Sequence, residues 1–223
     1  MIHYSYSPTQ LEDKAMELLK RFDPERLTKA KPIDVYEVIE KCLDVPYDWK
    51  YLTPDQSILG MTAFRAGTLW VWPESHYEEG MRPTKISVEE GMILIDSTLT
   101  ELPERGAENF TVMHEVFHQV LHKRCFRHSN PDYTHCTTRD ALKNGKRRPM
   151  TSLEICEYQA NACAAAFLMP GPLLVEKVNR YAGGRIHLKA YAEYLLVKDL
   201  ADEFSVSPTA MKYRLLNLGL ADQ

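Results

Sequence analysis

His114-Glu115-Val116-Phe117-His118 places two imidazoles four residues apart with a carboxylate between them. On a helix, that spacing puts both rings on one face, about 6 Å apart along the axis. Two imidazoles so arranged can converge on a single metal ion. Glu115 sits about 100° round the helix from His114. It therefore points toward an open coordination position instead of ligating, where it can take a proton from water activated by the metal. Imidazole nitrogen together with carboxylate oxygen suits zinc, a Lewis acid without redox chemistry. The chain has 8 His among 223 residues, and composition alone gives about 0.02 occurrences of this pattern. The spacing is therefore informative. The bland alternative is a pair of surface histidines on an ordinary helix.

A catalytic zinc needs a third protein ligand and one open position. Downstream, SLEICEYQANACAAAFLMP carries Glu154, Glu157 and Asn161 on a second expected helix. Glu157 and Asn161 are four apart and share a face, near the small residues Ala160 and Ala164 that permit close helix packing. Glu157 can complete the coordination, and the Asn161 side-chain oxygen can accept the N–H of a ligand imidazole. Equally, both can be polar groups flanking an apolar stripe, and spacing does not choose between the two readings.

The elements that must position these residues follow from periodicity. Leu11, Ala15, Leu18, Leu19 and Phe22 predict a first helix, ended by Asp23-Pro24, and Val35, Val38 and Ile39 predict a second over Ile33 to Leu43. Val45 to Leu52 reads as extended. Ile58 to Phe64 and Thr68 to Trp72 read as strands of one hairpin turning at Arg65-Ala66-Gly67, and Met92 to Asp96 as a further strand. Pro73 to Glu90 reads as a surface loop. The HExxH helix is expected to be half-buried, with Phe110, Met113, Phe117, Val120 and Leu121 inward. A polar insertion over 124–151 follows, then a helix over Leu153 to Met169 stopped by Pro170-Gly171-Pro172, and helices near Tyr191 to Glu203 and Thr209 to Leu216. The expected fold is α+β, with a small, mostly antiparallel sheet packed on a helical core that carries the HExxH helix, followed by C-terminal helices. The expected division is a domain over 1–172 and a helix-turn-helix-like segment over 173–223.

FTVMHEVFHQVLH, followed by ExxAN and then AAAFLMP, resembles the ImmA/IrrE family of zinc-dependent endopeptidases. The resemblance covers about residues 58–172, with ILGMTAF and GMILIDSTL in the expected places. It implies one zinc ion, Glu157 as its third ligand beside His114 and His118, and Glu115 as the general base for hydrolysis of a peptide bond. It also implies a protein substrate, typically a DNA-binding repressor encoded nearby or an antitoxin-like protein. Two departures are visible, neither at a candidate ligand. Cys163 and Phe167 stand where Phe and Leu are more usual, and Cys125 to Met150 lengthens the separation of the two motifs.

Other groups compete for attention. His122 extends the His114/His118 stripe, but on a straight helix it lies about 12 Å from His114, so capping the helix end or lining the cleft suits it better than ligation. Cys125, His128, His135 and Cys136 are zinc-capable, yet their C-x2-H-x6-H-C spacing matches no common finger. A flexible insertion is the default there, and Lys143 to Arg148 reads as solvated loop. Cys42, Cys156 and Cys163 read as small core residues, and Trp70-Val71-Trp72 as packed strand. LADEFSVSPTAMKYRLLNLGLA has a helix-turn-helix layout. The stretch Lys198 to Asp222 carries Lys198, Lys212 and Arg214 against Asp199, Asp202, Glu203 and Asp222, three positive charges against four negative. That balance favours packing or partner recognition over DNA contact through 195–217.

Composition sets the outer bounds. Hydrophobic residues make up 44% and charged residues 26%, with a formal net charge of -4, which gives no general attraction to nucleic acid or anionic membrane. The N-terminal ten residues lack the pattern of a secretory signal, no apolar run suits a membrane helix, and five cysteines are scattered. A reducing cytoplasm is the expected compartment. Metal-assisted peptide hydrolysis is the leading expectation. The competing one is a non-catalytic, zinc-containing regulatory module that binds a repressor or DNA.

Overall fold

The computed structural model describes residues 5–74, 78–126, 135–138, 150–188 and 191–222. Among the described residues the chain divides into two compact units: one within Leu43–Pro103 and Thr111–Asn161 together with Ser5, the other within Tyr6–Cys42, Glu104–Phe110 and Ala162–Gln223.

The first unit is built on a four-stranded sheet. Its strands β1 (Tyr47–Lys50), β2 (Ile58–Thr62), β5 (Ile93–Asp96) and β6 (His135–Thr138) lie in the order β1-β5-β2-β6. β5 runs parallel to β1 and antiparallel to β2, which is antiparallel to β6. The apolar run Ile93-Leu94-Ile95 fits the most enclosed strand, and all three side chains are fully buried. Asp96 ends it: Oδ2 accepts from the Leu52 amide at 2.9 Å and Oδ1 from the Thr98 amide at 3.1 Å, so the buried carboxylate starts the short 3-10 turn Ser97–Leu99. Leu52, Met61, Ala63, Val88 and Leu94 form the apolar cluster on this sheet.

A separate antiparallel pair, β3 (Gly67–Val71) with β4 (Thr84–Val88), corrects two expectations. β2 does not form a hairpin with β3, because both edges of β2 are taken by β5 and β6. The segment read as a loop supplies β4 instead, where Lys85-Ile86-Ser87-Val88 alternates with period two. Trp70 is correspondingly not packed. It is 55% exposed, with Lys85 Nζ 4.9 Å from its ring centroid.

Two helices carry the candidate site, each with its site residues in this unit: α3 (Gly106–Phe126) and α4 (Ser152–Leu168). α3 is not half-buried as expected. Val112, Met113, Val116, Phe117 and Leu121 are buried, and so are His114, Glu115, His118, Gln119 and His122 on its polar side, while Val120 is exposed. Its far end is fixed by Phe126, which stacks on Phe64 with ring centroids 4.5 Å apart and packs with Cys156 of α4. Among the zinc-capable residues of the insertion, His128 lies outside the described residues, as does Lys143 to Arg148. The backbone of His135 and Cys136 is in β6, and Cys125 packs beside Phe64, Phe126 and Cys156. Burial pushes the Cys156 and Cys163 thiols each up to about 12, which suits inert core cysteines.

In the second unit α1 (Pro8–Phe22) begins at a capping box, in which Ser7 Oγ accepts from the Gln10 amide and Gln10 Oε1 from the Ser7 amide. The expected second helix is a single turn, α2 (Val35–Val38), started by Asp34 and continued as a π-helical turn over Ile39–Leu43. α5 (Gly171–Ala182) was not expected from the sequence. Pro170-Gly171-Pro172 reads as a stop, yet proline in the first helical turn is also a start signal, and Gly183 at φ 67° closes the helix. α6 (Tyr191–Phe204) and α7 (Pro208–Asn217) follow, with a short parallel pair β7 (Ile186–His187) and β8 (Ala221–Asp222). Among the described residues no helix is long and apolar enough to cross a membrane.

Arg214 of α7 is drawn inward. Its Nη2 donates to both carboxylate oxygens of Glu12, at 2.6 and 2.7 Å, and its Nε to the Met169 carbonyl at 3.1 Å. One of the three cations of the helix-turn-helix-like segment is therefore spent on packing. Removing one partner of such a pair strands the other. Because Glu12 keeps some solvent contact, Arg214→Ala is expected to cost about 2–3 kcal/mol in a denaturant melt. A loss under about 0.5 kcal/mol would show that the pair is surface-like.

Candidate metal centre

α3 presents His114 and His118 one turn apart, and the backbone spacing alone brings their rings together. The two Nε2 atoms lie 2.8 Å from each other, with both side chains at 0% exposure. α4 supplies the third group. Glu157 Oε2 is 3.3 Å from His114 Nε2, and Oε1 is 3.4 Å from His118 Nε2. His114, His118 and Glu157 thus form a set able to hold a metal ion, their ligand atoms within 4.8 Å of one another.

The donor set fits zinc. A tetrahedral ion with bonds of about 2.0–2.1 Å keeps its donors about 3.3 Å apart, against the observed 2.8, 3.3 and 3.4 Å. The electrostatics agree. Burial disfavours a charged His114, but the hydrogen bond and charge of Glu157 and the charge of Glu115 outweigh it, and the pKa is raised above the ordinary histidine value. The pocket therefore favours positive charge where the two rings meet.

The groups around this set come from three elements. On α4, Asn161 Oδ1 is 2.9 Å from His114 Nδ1, where it can accept the ring N–H, as its spacing from Glu157 suggests. Glu154 is held elsewhere: it caps the start of α4, its Oε2 accepting from the Thr151 amide while Thr151 Oγ1 accepts from the Glu154 amide. On β2, Thr62 Oγ1 donates to Glu115 Oε2 at 2.7 Å. A Cβ at Gly60 would come within 2.8 Å of both Glu115 Oε1 and Thr111 Cγ2, so only glycine lets the strand pass this close to the carboxylate. Neither Gly60 nor Thr62 carries a motif signal in the sequence. They are 55 and 53 positions from Glu115, and only strand–helix packing reveals them. Among the described residues β2 and β5 both have neighbours on each side, and β1 and β6 are the outer strands of this sheet.

Of the two expectations for His122, the cap is not what the structure shows. His122 is 1% exposed and its Nδ1 lies 2.9 Å from His118 Nδ1. Buried polar side chains along a helix are costly unless they are bonded, and the Gln119 side-chain amide nitrogen donates to the Gly91 carbonyl at 3.0 Å.

A metal held by His114, His118 and Glu157 binds only the folded chain and must stabilise it. Zinc at a hundredfold excess over its Kd should raise stability by about 2.7 kcal/mol, read as a higher Tm. Glu157→Ala should lose most of that rise, and an undiminished rise in the variant would remove Glu157 from the set.

The family model for peptidase M78, described as an IrrE N-terminal-like domain, matches residues 83–216. No curated protein matches the chain.

Proposed function

As the chain belongs to the peptidase M78 family and is a metallopeptidase of that family, we propose that it is a zinc-dependent endopeptidase in which His114, His118 and Glu157 hold the ion and Glu115 is the general base. The observation that carries this reading is the convergence of two buried Nε2 atoms and one carboxylate beside a second carboxylate that is oriented from β2. When bound, zinc supplies Lewis acidity, which lowers the pKa of water and polarises a carbonyl oxygen. The remaining steps fall to protein groups. Glu115 accepts the proton of the attacking water and later passes it to the departing amine. Thr62 fixes the Glu115 carboxylate by its Oε2, which limits the orientations it can take at 0% exposure. His114, buried against Asn161, and His118 keep their rings in place, so little reorganisation is needed during the reaction.

As a peptidase, the chain acts on a protein or peptide substrate. The resemblance to the ImmA/IrrE family supports a DNA-binding repressor or antitoxin-like protein as that substrate. An unligated glutamate next to two metal-facing histidines suits catalysis, since a purely structural zinc has no use for it.

Two substitutions separate binding from chemistry. Glu115→Gln should abolish cleavage of a repressor encoded beside this gene while zinc stays near one per chain, and unchanged cleavage would remove Glu115 from the chemistry. Gly60→Ala should push Glu115 out of place and lower kcat about 10–100-fold at full zinc content. Wild-type kcat in that variant would mean that the position of Glu115 is not critical.

A further inference from the structure

His122 lies one turn beyond His118 on α3, and Gln159 lies on α4 between Glu157 and Asn161. Both are buried, each 1% exposed. His122 Nδ1 is 2.9 Å from His118 Nδ1, and His122 Nε2 is 3.0 Å from Gln159 Oε1. A neutral imidazole has one donor nitrogen and one acceptor nitrogen, so this series of contacts has a direction. Gln159 Oε1 can only accept, which makes His122 Nε2–H the donor. His122 Nδ1 is then the acceptor, and His118 Nδ1–H must donate to it. The lone pair of His118 is left on Nε2, the atom that faces His114 Nε2 and Glu157. The opposite direction would place the proton on His118 Nε2 and block it as a ligand.

We propose that His122 and Gln159 are positioning residues that hold His118 in the Nδ1-protonated tautomer and so present its Nε2 to the metal. The proposal rests on the ligand set assigned above and adds a function for the third histidine of the stripe. It also gives the two ligand histidines unequal support. His114 is fixed in one step by the amide oxygen of Asn161, whereas His118 is fixed through a second imidazole that an amide oxygen orients in turn. α4 therefore supplies a ligand and both terminal acceptors within five residues, Glu157 to Asn161.

The test is zinc affinity by competition with a chromophoric chelator, alongside the thermal midpoint of each metal-free protein. His122→Leu keeps bulk but offers no acceptor and should weaken zinc about 10–100-fold, the usual effect of losing a partner that orients a ligand. His122→Asn returns an acceptor oxygen near the position of Nδ1 and should recover most of that loss. Gln159→Leu should weaken zinc and Gln159→Glu should not, because only the latter keeps an acceptor. If affinity follows the metal-free midpoint instead of the presence of an acceptor, the role is structural and the proposal falls. It also falls if His122→Leu and Gln159→Leu bind zinc as tightly as wild type. A nitrogen-15 NMR spectrum of the zinc-loaded wild-type protein gives a second readout without any substitution. His118 protonated at Nδ1 and His122 at Nε2 is the expected pattern, and a proton on His122 Nδ1 overturns the proposal. A wild-type protein that takes up no zinc would refute the ligand set itself, and this outcome is distinct from a variant that binds as tightly as wild type.

Discussion

Two imidazole nitrogens on fully buried rings face each other at 2.8 Å, beside a Glu157 side chain that keeps some exposure. Each ring uses its other nitrogen in a hydrogen bond, His114 to Asn161 and His118 to His122. Ring nitrogens in that position repel unless something positive lies between them, and the adjacent Glu157 and Glu115 raise the demand for positive charge. A cation shared by His114, His118 and Glu157 would meet that demand. Burial of His114, Glu115 and His118 on α3 strengthens the electrostatic interactions among them. β2 supports the same cluster from the side, with Gly60 permitting close approach and Thr62 donating to Glu115.

The polar network around the rings explains why the two helices must be held so firmly. Asn161, Gln159 and Glu157 all project from α4 to groups on α3. A slip of α4 by one residue would break every one of these contacts together. Cys156 in the cluster with Phe64 and Phe126 fixes the register between helix and sheet at the end of α3. A buried imidazole without a partner would be expensive, so the network serves stability and ligand geometry with the same bonds.

Much of the centre was legible in the sequence because it depends on spacing within one helix. His114, Glu115 and His118 share a turn, and any helix through them brings the rings together. Glu157 needed the family resemblance, because nothing in local spacing says which of Glu154 and Glu157 turns toward α3. In the structure Glu154 is taken by the helix start. Gly60, Thr62 and the part played by His122 were not legible. Each depends on contacts across 37 to 55 positions, and in the case of His122 on which ring nitrogen faces which neighbour. Among the elements, helices with strong periodicity were found and strand partners were not. The pairing of β3 with β4 depends on β2 having both edges occupied, a property of the sheet and not of any one strand. α5 was missed because proline both ends one helix and begins the next.

X-ray absorption at the zinc edge of the purified, zinc-loaded protein measures the coordination on which the account rests. Two imidazole nitrogens and carboxylate or water oxygens at about 2.0–2.2 Å are the expected shell, with no sulfur at about 2.3 Å. A sulfur contribution would move the metal to the cysteines of the insertion, and a third imidazole would make His122 a ligand. Either result would contradict a centre formed by His114, His118 and Glu157.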